Sequence, residues 1–195
     1  MPLPADANLE QRLHRYVELL LQWNRAYNLT AITDPAEIRS KHLADCLAVL
    51  PFAGCRRLVD VGTGAGLPGL LLAAAGACDS ALLIDSAGKK VRFVKAAAVE
   101  LGLTTVEARH ARVELVPAAD GGDVVISRAY ASLADFVGSA GHLCRPGGRL
   151  LAMKGVVPDA ELATLPEGWM ARAVHPLRVP GLDAQRCLVE LVRRT

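Results

Sequence analysis

The feature that most constrains this chain is a run of glycines directly after a short apolar segment. Residues 58–61 (LVDV) read as a buried strand, and the glycines that follow are Gly62, Gly64, Gly66 and Gly69. Glycine lets the backbone turn sharply from strand to helix and approach a ligand closely. This order of elements predicts a cofactor loop at the carboxyl end of a parallel sheet.

The rest of the chain supports a sheet with crossover helices. Short apolar runs alternate with helical stretches, and these runs are residues 58–61, 81–84, 105–108, 123–127 and 149–153. Such alternation favours a parallel sheet covered on both faces. Residues 170–179 and 187–193 are strand-like, and no helix fits between them. We therefore expect an α/β fold of the class I methyltransferase (Rossmann-like) type, doubly wound, mostly parallel, with a C-terminal antiparallel hairpin.

The N-terminal part is predicted to be helical. Apolar residues recur there at helical spacing: Leu9, Leu13, Tyr16, Val17, Leu20 and Trp23. A second helix is expected from Asp34 as cap, with Pro35 in the first turn and Glu37 at the capping-box position, to about Leu50. We expect a single methyltransferase domain, in which residues 1–55 form a helical extension and residues 56–195 the cofactor-binding α/β body.

Composition excludes several classes of protein. The net charge is +2 and aromatic residues make up 4% of the 195, so neither a strongly basic chain nor a broad base-stacking surface is indicated. The five cysteines have no zinc-site spacing, so no metal is expected. With no signal peptide and no apolar run long enough for a bilayer, we expect a cytoplasmic protein with reduced thiols and no membrane partner.

Two acids bear on the identity of the cofactor. Residues 64–69 also match the dinucleotide pattern G-x-G-x-x-G, which is weak evidence alone. Asp60 lies two residues before Gly62, where methyltransferases often carry an acid that orients the loop and the methionine amino group of S-adenosylmethionine. Asp85 follows 25 residues later at the end of the next strand, where a carboxylate can accept both ribose hydroxyls. The plainer alternative for Asp85 is a helix N-cap.

Six segments, in order along the chain, resemble the RsmG (GidB) family of bacterial small-subunit rRNA guanine-N7 methyltransferases. They are residues 23–32 (WNRAYNLTAI), 59–69 (VDVGTGAGLPG), 85–93 (DSAGKKVRF), 126–129 (ISRA), 153–155 (MKG) and 179–183 (VPGLD). The resemblance implies S-adenosylmethionine as cofactor and a guanine in the 530 loop of 16S rRNA as target. It also implies cofactor contacts at Gly62, Leu67, Asp85, Ser86, Ala87, Val113, Glu114 and Arg128. One departure is Asp45-Cys46-Leu47, where many members read Asp-Ser-Leu.

The residues after the fourth strand distinguish among methylation chemistries. The sequence there is residues 127–130 (SRAY), not the motif of adenine-N6 and cytosine-N4 enzymes, and the Asp of ribose 2′-O enzymes is missing. Cys144 precedes a turn and reads as a structural thiol, which argues against cytosine-C5 chemistry. Guanine N7 carries a lone pair and no proton, so no general base is required and no catalytic residue is assigned. Arg128 is given a positioning role, with a surface ion pair as the alternative.

The expected RNA surface is basic. Lys89, Arg92 and Lys95 recur every three residues on the polar side of one helix, and a solvated helix face is the plainer explanation. Arg25, Lys41 and Lys154 extend the set, and His42 is expected to bond locally to Asp45. The partner is 16S rRNA, the small ribosomal subunit or an assembly intermediate, and the protein is expected to be a monomer. Two alternatives stay open: an NAD-type oxidoreductase, and a non-catalytic RNA-binding module of ribosome assembly.

Overall fold

A seven-stranded sheet organises the computed structural model, which describes residues 7–128, 130, 132–180 and 184–194. The strands are β1 (Cys55–Val61), β2 (Cys78–Asp85), β3 (Val106–His110), β4 (Gly122–Ser127), β5 (Cys144–Lys154), β6 (Trp169–Leu177) and β7 (Arg186–Arg193). Their order is β3-β2-β1-β4-β5-β7-β6. The first five strands are parallel, and β7 runs antiparallel to both β5 and β6. This confirms the predicted mostly parallel sheet with an antiparallel C-terminal pair. The connection between that pair falls partly on residues 181–183, which lie outside the described residues.

The order of the strands locates a crevice. The chain winds outward from β1 through β2 to β3, then returns and winds the other way from β4 to β5. In open α/β sheets, ligands bind outside the carboxyl ends of the strands where the winding reverses. That point lies between β1 and β4, so the residues after Val61, Asp85 and Ser127 converge there.

Helices cover both faces of the sheet. They are α1 (Ala7–Tyr27), α2 (Pro35–Ile38), α3 (Ala44–Leu47), α4 (Gly69–Ala74), α5 (Gly88–Glu100), α6 (Leu133–Ala140) and α7 (Asp159–Ala163). The predicted apolar stripe of α1 is confirmed: Leu9, Leu13, Tyr16, Val17 and Leu20 are buried in the same cluster as α4, α5 and one sheet face, and the partly buried Trp23 packs against that cluster. α6 packs in the cluster on the other face. β1 begins at Cys55, beside the expected boundary between extension and body; the division itself remains a prediction.

The second helical segment departs from expectation. Asp34 does cap it, accepting a hydrogen bond from the Ala36 backbone N–H at 2.9 Å. Glu37 does not complete a capping box, because its carboxylate pairs with Lys41 at 2.6 Å. The segment also changes winding: a π-helical turn, Arg39–Leu43, separates α2 from α3, and helix α3 ends at Leu47 rather than Leu50. Such turns are frequent at functional sites.

None of the helices in the described part of the chain is both apolar and long enough to cross a bilayer.

Candidate functional site

The glycine loop is built around the buried carboxylate of Asp60 near the end of β1. Its Oδ2 accepts hydrogen bonds from the Thr63 hydroxyl at 2.6 Å and from the Gly69 backbone N–H at 2.8 Å. Its Oδ1 is buried and has no hydrogen-bond partner among the described residues. Buried acceptors normally have partners, so this oxygen is ready for a donor that a ligand brings.

Burial dominates the electrostatics of Asp60. Removal from water raises the pKa of this carboxyl to about 6, against the opposing effects of Thr63, Gly69 and the Arg128 charge. A ligand ammonium placed on Oδ1 would satisfy the oxygen and favour the charged carboxylate. The chain therefore fits the methionine amino group of S-adenosylmethionine at this position.

The loop is held against the neighbouring strand. Gly62, Gly64 and Gly66 have φ values of 68°, 61° and 85°, in the left-handed region that glycine tolerates best. Asp85, the last residue of β2, accepts a hydrogen bond from the Gly64 N–H at 2.9 Å and from the Ala87 N–H at 2.8 Å. Asp85 therefore fixes two backbone segments at the crevice. The N-cap position of α5 belongs to Ala87, which makes no side-chain cap, and not to Asp85.

A first cleft, of about 310 Å³, opens beside Asp85. It brings together five of the predicted cofactor residues: Gly62, Asp85, Ser86, Val113 and Glu114. Five further lining residues were not predicted from the sequence: Ile84, Lys90, Ala111, Arg112 and Tyr130. Tyr130 and Arg112 follow the carboxyl ends of β4 and β3, and this position in the sequence could have identified them as site residues. The cleft combines the carboxylates of Asp85 and Glu114 with apolar side chains such as Ile84 and Val113, as a nucleoside site requires.

A second cleft, of about 200 Å³, lies on the other side of Gly62. The predicted residues in its lining are Gly62, Gly64, Leu67 and Arg128, joined by Thr30, His42 and Lys90. Gly66 lines neither cleft, and a Cβ there would lie 3.0 Å from the Leu70 Cβ, so Gly66 serves helix packing. Gly62 and Lys90 line both clefts, and the glycine loop lies between them. The two clefts together therefore form a continuous path for an elongated cofactor.

Arg128 lies at the end of β4 and faces His42. Its Nη1 is 3.3 Å from the His42 Nδ1 and 3.9 Å from the Cys46 sulfur. Within the described ranges no carboxylate is within 4.0 Å of this guanidinium, so the surface ion pair considered as an alternative is not seen there. Burial, followed by the charge of Arg128, lowers the pKa of His42. A neutral His42 accepts from Arg128 through Nδ1 and donates through Nε2 to the Thr30 hydroxyl, 3.0 Å away.

A third cleft, of about 610 Å³, shares the wall formed by His42 and Arg128 with the second. Its lining residues are Ile32, Lys41, His42, Asp45, Arg128, Met153, Lys154, Gly155 and Arg186. The expected bond between His42 and Asp45 is wrong: Asp45 Oδ1 accepts from the Arg186 Nε at 3.1 Å, because β7 places Arg186 against α3. Neither Asp45 nor Arg186 was predicted from the sequence as a site residue.

The predicted RNA cations divide into two groups. Lys41 and Lys154 line the third cleft, where the Lys154 Nζ lies 3.0 Å from a Glu161 carboxylate oxygen. The others line none of these three clefts: Lys89, Arg92 and Lys95 are exposed on α5, and Arg25 is exposed at the end of α1. The Arg92 guanidinium stacks 5.7 Å from the centre of the Tyr27 ring. We call Arg25, Lys89, Arg92 and Lys95 the outer basic patch.

Cysteine and metal chemistry find little support in the described ranges. Cys144 is buried at the start of β5, away from the three clefts, and burial raises the pKa of its thiol to about 11. A thiol held protonated is a poor nucleophile. No cluster of three or more potential metal ligands occurs among the residues that the structure describes.

Comparisons with known proteins agree with the resemblance. The family model of GidB, rRNA small subunit methyltransferase G, matches residues 9–189. Ribosomal RNA small subunit methyltransferase G of Azoarcus sp. (strain BH72) is 50% identical over 185 residues, which cover 94% of this chain and 87% of that protein. The protein of the same name from Methylococcus capsulatus is 49% identical, over 96% of this chain and 91% of its own length.

Solved structures give the fold. A SAM-dependent methyltransferase from Aquifex aeolicus superposes with a TM-score of 0.62 at 17% identity, covering 82% of this chain and 94% of that one. A SAM-dependent methyltransferase from Geobacter sulfurreducens, in complex with S-adenosyl-L-homocysteine, gives 0.59 at 14% identity, over 91% and 98%. These comparisons give no support to an NAD-type oxidoreductase or a non-catalytic RNA-binding module. By the family match and the fold together, the chain belongs to the rRNA small subunit methyltransferase G family and is an S-adenosylmethionine-dependent methyltransferase.

Proposed function

We propose that this protein methylates N7 of a guanine in the 530 loop of 16S rRNA. The observation that carries the proposal is the series of three adjoining clefts at the carboxyl edge of the sheet, with Asp60 beneath the loop that separates them. The first two clefts suit the two halves of the cofactor. The third, lined by Lys41, Arg128, Lys154 and Arg186, suits a nucleotide with its phosphate.

Different residues of the chain would bind different parts of the cofactor. Asp85 would accept hydrogen bonds from the ribose hydroxyls, and Val113, Glu114 and Tyr130 would line the adenine end of the site. Asp60 Oδ1 would accept a hydrogen bond from the methionine amino group. When bound, the cofactor would supply a methyl group activated by a sulfonium, and His42 and Arg128 line the cleft that would hold this end of the cofactor.

The acceptor needs positioning and no proton transfer. Guanine N7 would form the bond to the methyl carbon with its lone pair while the methyl–sulfur bond breaks and S-adenosylhomocysteine leaves, and no proton would be released. The protein therefore has to hold two reactants in line at close approach. Arg128 is the positioning cation at the wall shared by the second and third clefts, because its planar guanidinium offers several hydrogen-bond donors in a fixed geometry. Burial and the charge of Arg128 both lower the pKa of His42, so a neutral His42 neither repels the sulfonium nor needs to act as a base.

The outer basic patch supplies affinity for RNA outside the reaction centre. Its four cations project from α1 and α5 without lining the clefts, as expected for contacts to phosphates that orient the substrate. We further propose that the protein is a cytoplasmic monomer that acts on the small subunit or on an assembly intermediate.

Methyl transfer in vitro tests the proposal. Purified protein with radiolabelled S-adenosylmethionine is offered small subunits, naked 16S rRNA and large subunits, and the digested product is identified by chromatography. We expect label in 7-methylguanosine, on small-subunit substrates alone. Label in another nucleoside, or none in any substrate despite tight binding of S-adenosylhomocysteine, would refute it.

A further inference from the structure

The third cleft contains an acid that the proposed chemistry has not used. Asp45 is a carboxylate among four cations in that lining, and its side chain is only 8% exposed. Arg186 donates to its Oδ1 at 3.1 Å. A carboxylate has about four acceptor positions, so Asp45 keeps acceptor capacity on the side facing the cleft. A site built only to hold phosphate would gain nothing from this negative charge.

The positions of the second and third clefts relative to each other determine how a base would be oriented in the third cleft. His42 and Arg128 form the wall shared with the second cleft, while Asp45 and Arg186 line the third cleft alone. In guanine, N7 lies on one edge of the ring system, and N1 and the 2-amino group lie on the opposite side. A guanine whose N7 faces the shared wall therefore turns its Watson–Crick edge away from the cofactor, toward Asp45.

We propose that Asp45 is the residue that selects guanine, its carboxylate accepting hydrogen bonds from the N1–H and the 2-amino group of the flipped-out base. This inference rests on the proposed function. Enzymes that act on a base commonly read it by its Watson–Crick edge after removing it from the stack. Adenine presents a lone pair at N1 and no 2-amino group, so the same carboxylate repels it. Arg186 holds Asp45 in place and so acts as a positioning residue.

Inosine tests the proposal, because it lacks the 2-amino group and keeps N7. Small subunits are reconstituted with ligated 16S rRNA that carries guanosine or inosine at the methylated position. Methyl transfer is measured as kcat/KM for the wild type and for Asp45→Asn, which keeps the shape and an acceptor for Arg186. We expect the wild type to prefer guanosine by about tenfold, since hydrogen bonds to charged groups are strong. The variant should be slower on both, with a preference near one.

A structural role for Asp45 makes a different prediction. If Asp45 only anchors Arg186, the variant slows both reactions equally and the preference for guanosine is unchanged, which would overturn the proposal. Glu37→Gln is the matched control: it removes a carboxylate from α2, outside the cleft lining, and should leave the preference at its wild-type value. Asp45→Ala is the second variant if Asp45→Asn fails to fold.

The wild-type protein alone also tests the role of Asp45, through its rates on the guanosine and inosine substrates. Equal rates on guanosine and inosine would overturn the role of Asp45 without any variant. Failure of this inference is distinguishable from failure of the proposed function, because the latter appears as absence of 7-methylguanosine from the wild-type reaction on guanosine.

Discussion

The Asp60 carboxylate and the backbone of Gly69 share a space that leaves no room for a side chain. Asp60 Oδ2 accepts from the Gly69 N–H at 2.8 Å, and a Cβ built on Gly69 would lie 2.7 Å from both the Asp60 Cβ and Oδ2. Glycine at 69 is therefore required by close approach. The cofactor loop and the first turn of α4 are locked together through this contact.

Gly69→Ala should consequently weaken both the fold and the cofactor site. Overpacking of this kind costs about 1–3 kcal/mol, measured as the free energy of unfolding in denaturant. S-adenosylhomocysteine binding, measured by calorimetry, should fall because Asp60 must move. Gly138→Ala in α6 is the control: a Cβ there meets nothing within 4 Å, so stability should be unchanged or slightly higher. If Gly69→Ala bound S-adenosylhomocysteine as tightly as the wild type, the assignment of Asp60 to the cofactor site would be contradicted.

The protonation of Asp60 should appear in cofactor binding. Because the pKa of this buried carboxyl is raised to about 6, the free protein holds a proton below that pH, whereas an ammonium on Oδ1 favours the charged form. Affinity for S-adenosylhomocysteine should rise between about pH 5 and 7, by up to about tenfold per unit below the pKa, and then level off. Calorimetry across pH measures this, and Asp60→Asn should bind weakly with a flat profile. A flat wild-type profile would show that Asp60 does not contact the ligand.

The raised pKa of Asp60 also determines how the stability of the cofactor-free protein changes with pH. A carboxyl whose pKa is higher in the folded than in the unfolded chain favours the fold at low pH. The cofactor-free protein should lose this contribution as the pH rises from about 4 to about 6, and Asp60→Asn should remove that part of the profile. Thermal unfolding of the two proteins across this range and to neutral pH gives the comparison; a wild-type profile parallel to that of the variant would contradict the raised pKa.

Arg128 should control both turnover and the ionisation of His42. Arg128→Ala removes the positioning cation, so the single-turnover methylation rate should fall at least about tenfold. The variant should also raise the pKa of His42, followed by NMR of the imidazole, because a nearby positive charge is removed. Arg172→Ala, an exposed arginine on β6 paired with Glu190, is the control and should change neither quantity. Unchanged turnover in Arg128→Ala would exclude the positioning role.

The outer basic patch should contribute affinity and little chemistry. Replacing Lys89, Arg92 and Lys95 with alanine should weaken RNA binding and lower the slope of log K against log salt by about one for each phosphate that is no longer neutralised. The single-turnover rate at saturating RNA should persist. The same reduction of charge at Arg56, Arg145 and Arg172, exposed elsewhere on the sheet, should have a smaller effect. An equal effect of both triple variants would indicate non-specific attraction.

Local patterns in the sequence were enough for the sheet and the cofactor loop. The strand before Gly62, the acid Asp60 and the second acid Asp85 lie close along the chain or at strand ends, where topology determines their position. The third cleft could not be predicted in this way. The pairing of Asp45 with Arg186 joins residues 141 apart, and the π turn that precedes α3 has no marker in the sequence. His42 likewise became a site residue only through packing, whereas the position of Tyr130 after β4 could have been recognised in the sequence.

The identity of the modified base is tested most directly in cells. 16S rRNA is purified from strains with and without the protein, and 7-methylguanosine in the 530 loop is mapped by chemical cleavage and mass spectrometry. We predict the modification in the strain that carries the protein, its loss on deletion and its return with the wild-type gene, but not with Arg128→Ala. Retention of 7-methylguanosine in the 530 loop after deletion, or loss of a methyl group elsewhere in rRNA, would contradict the account.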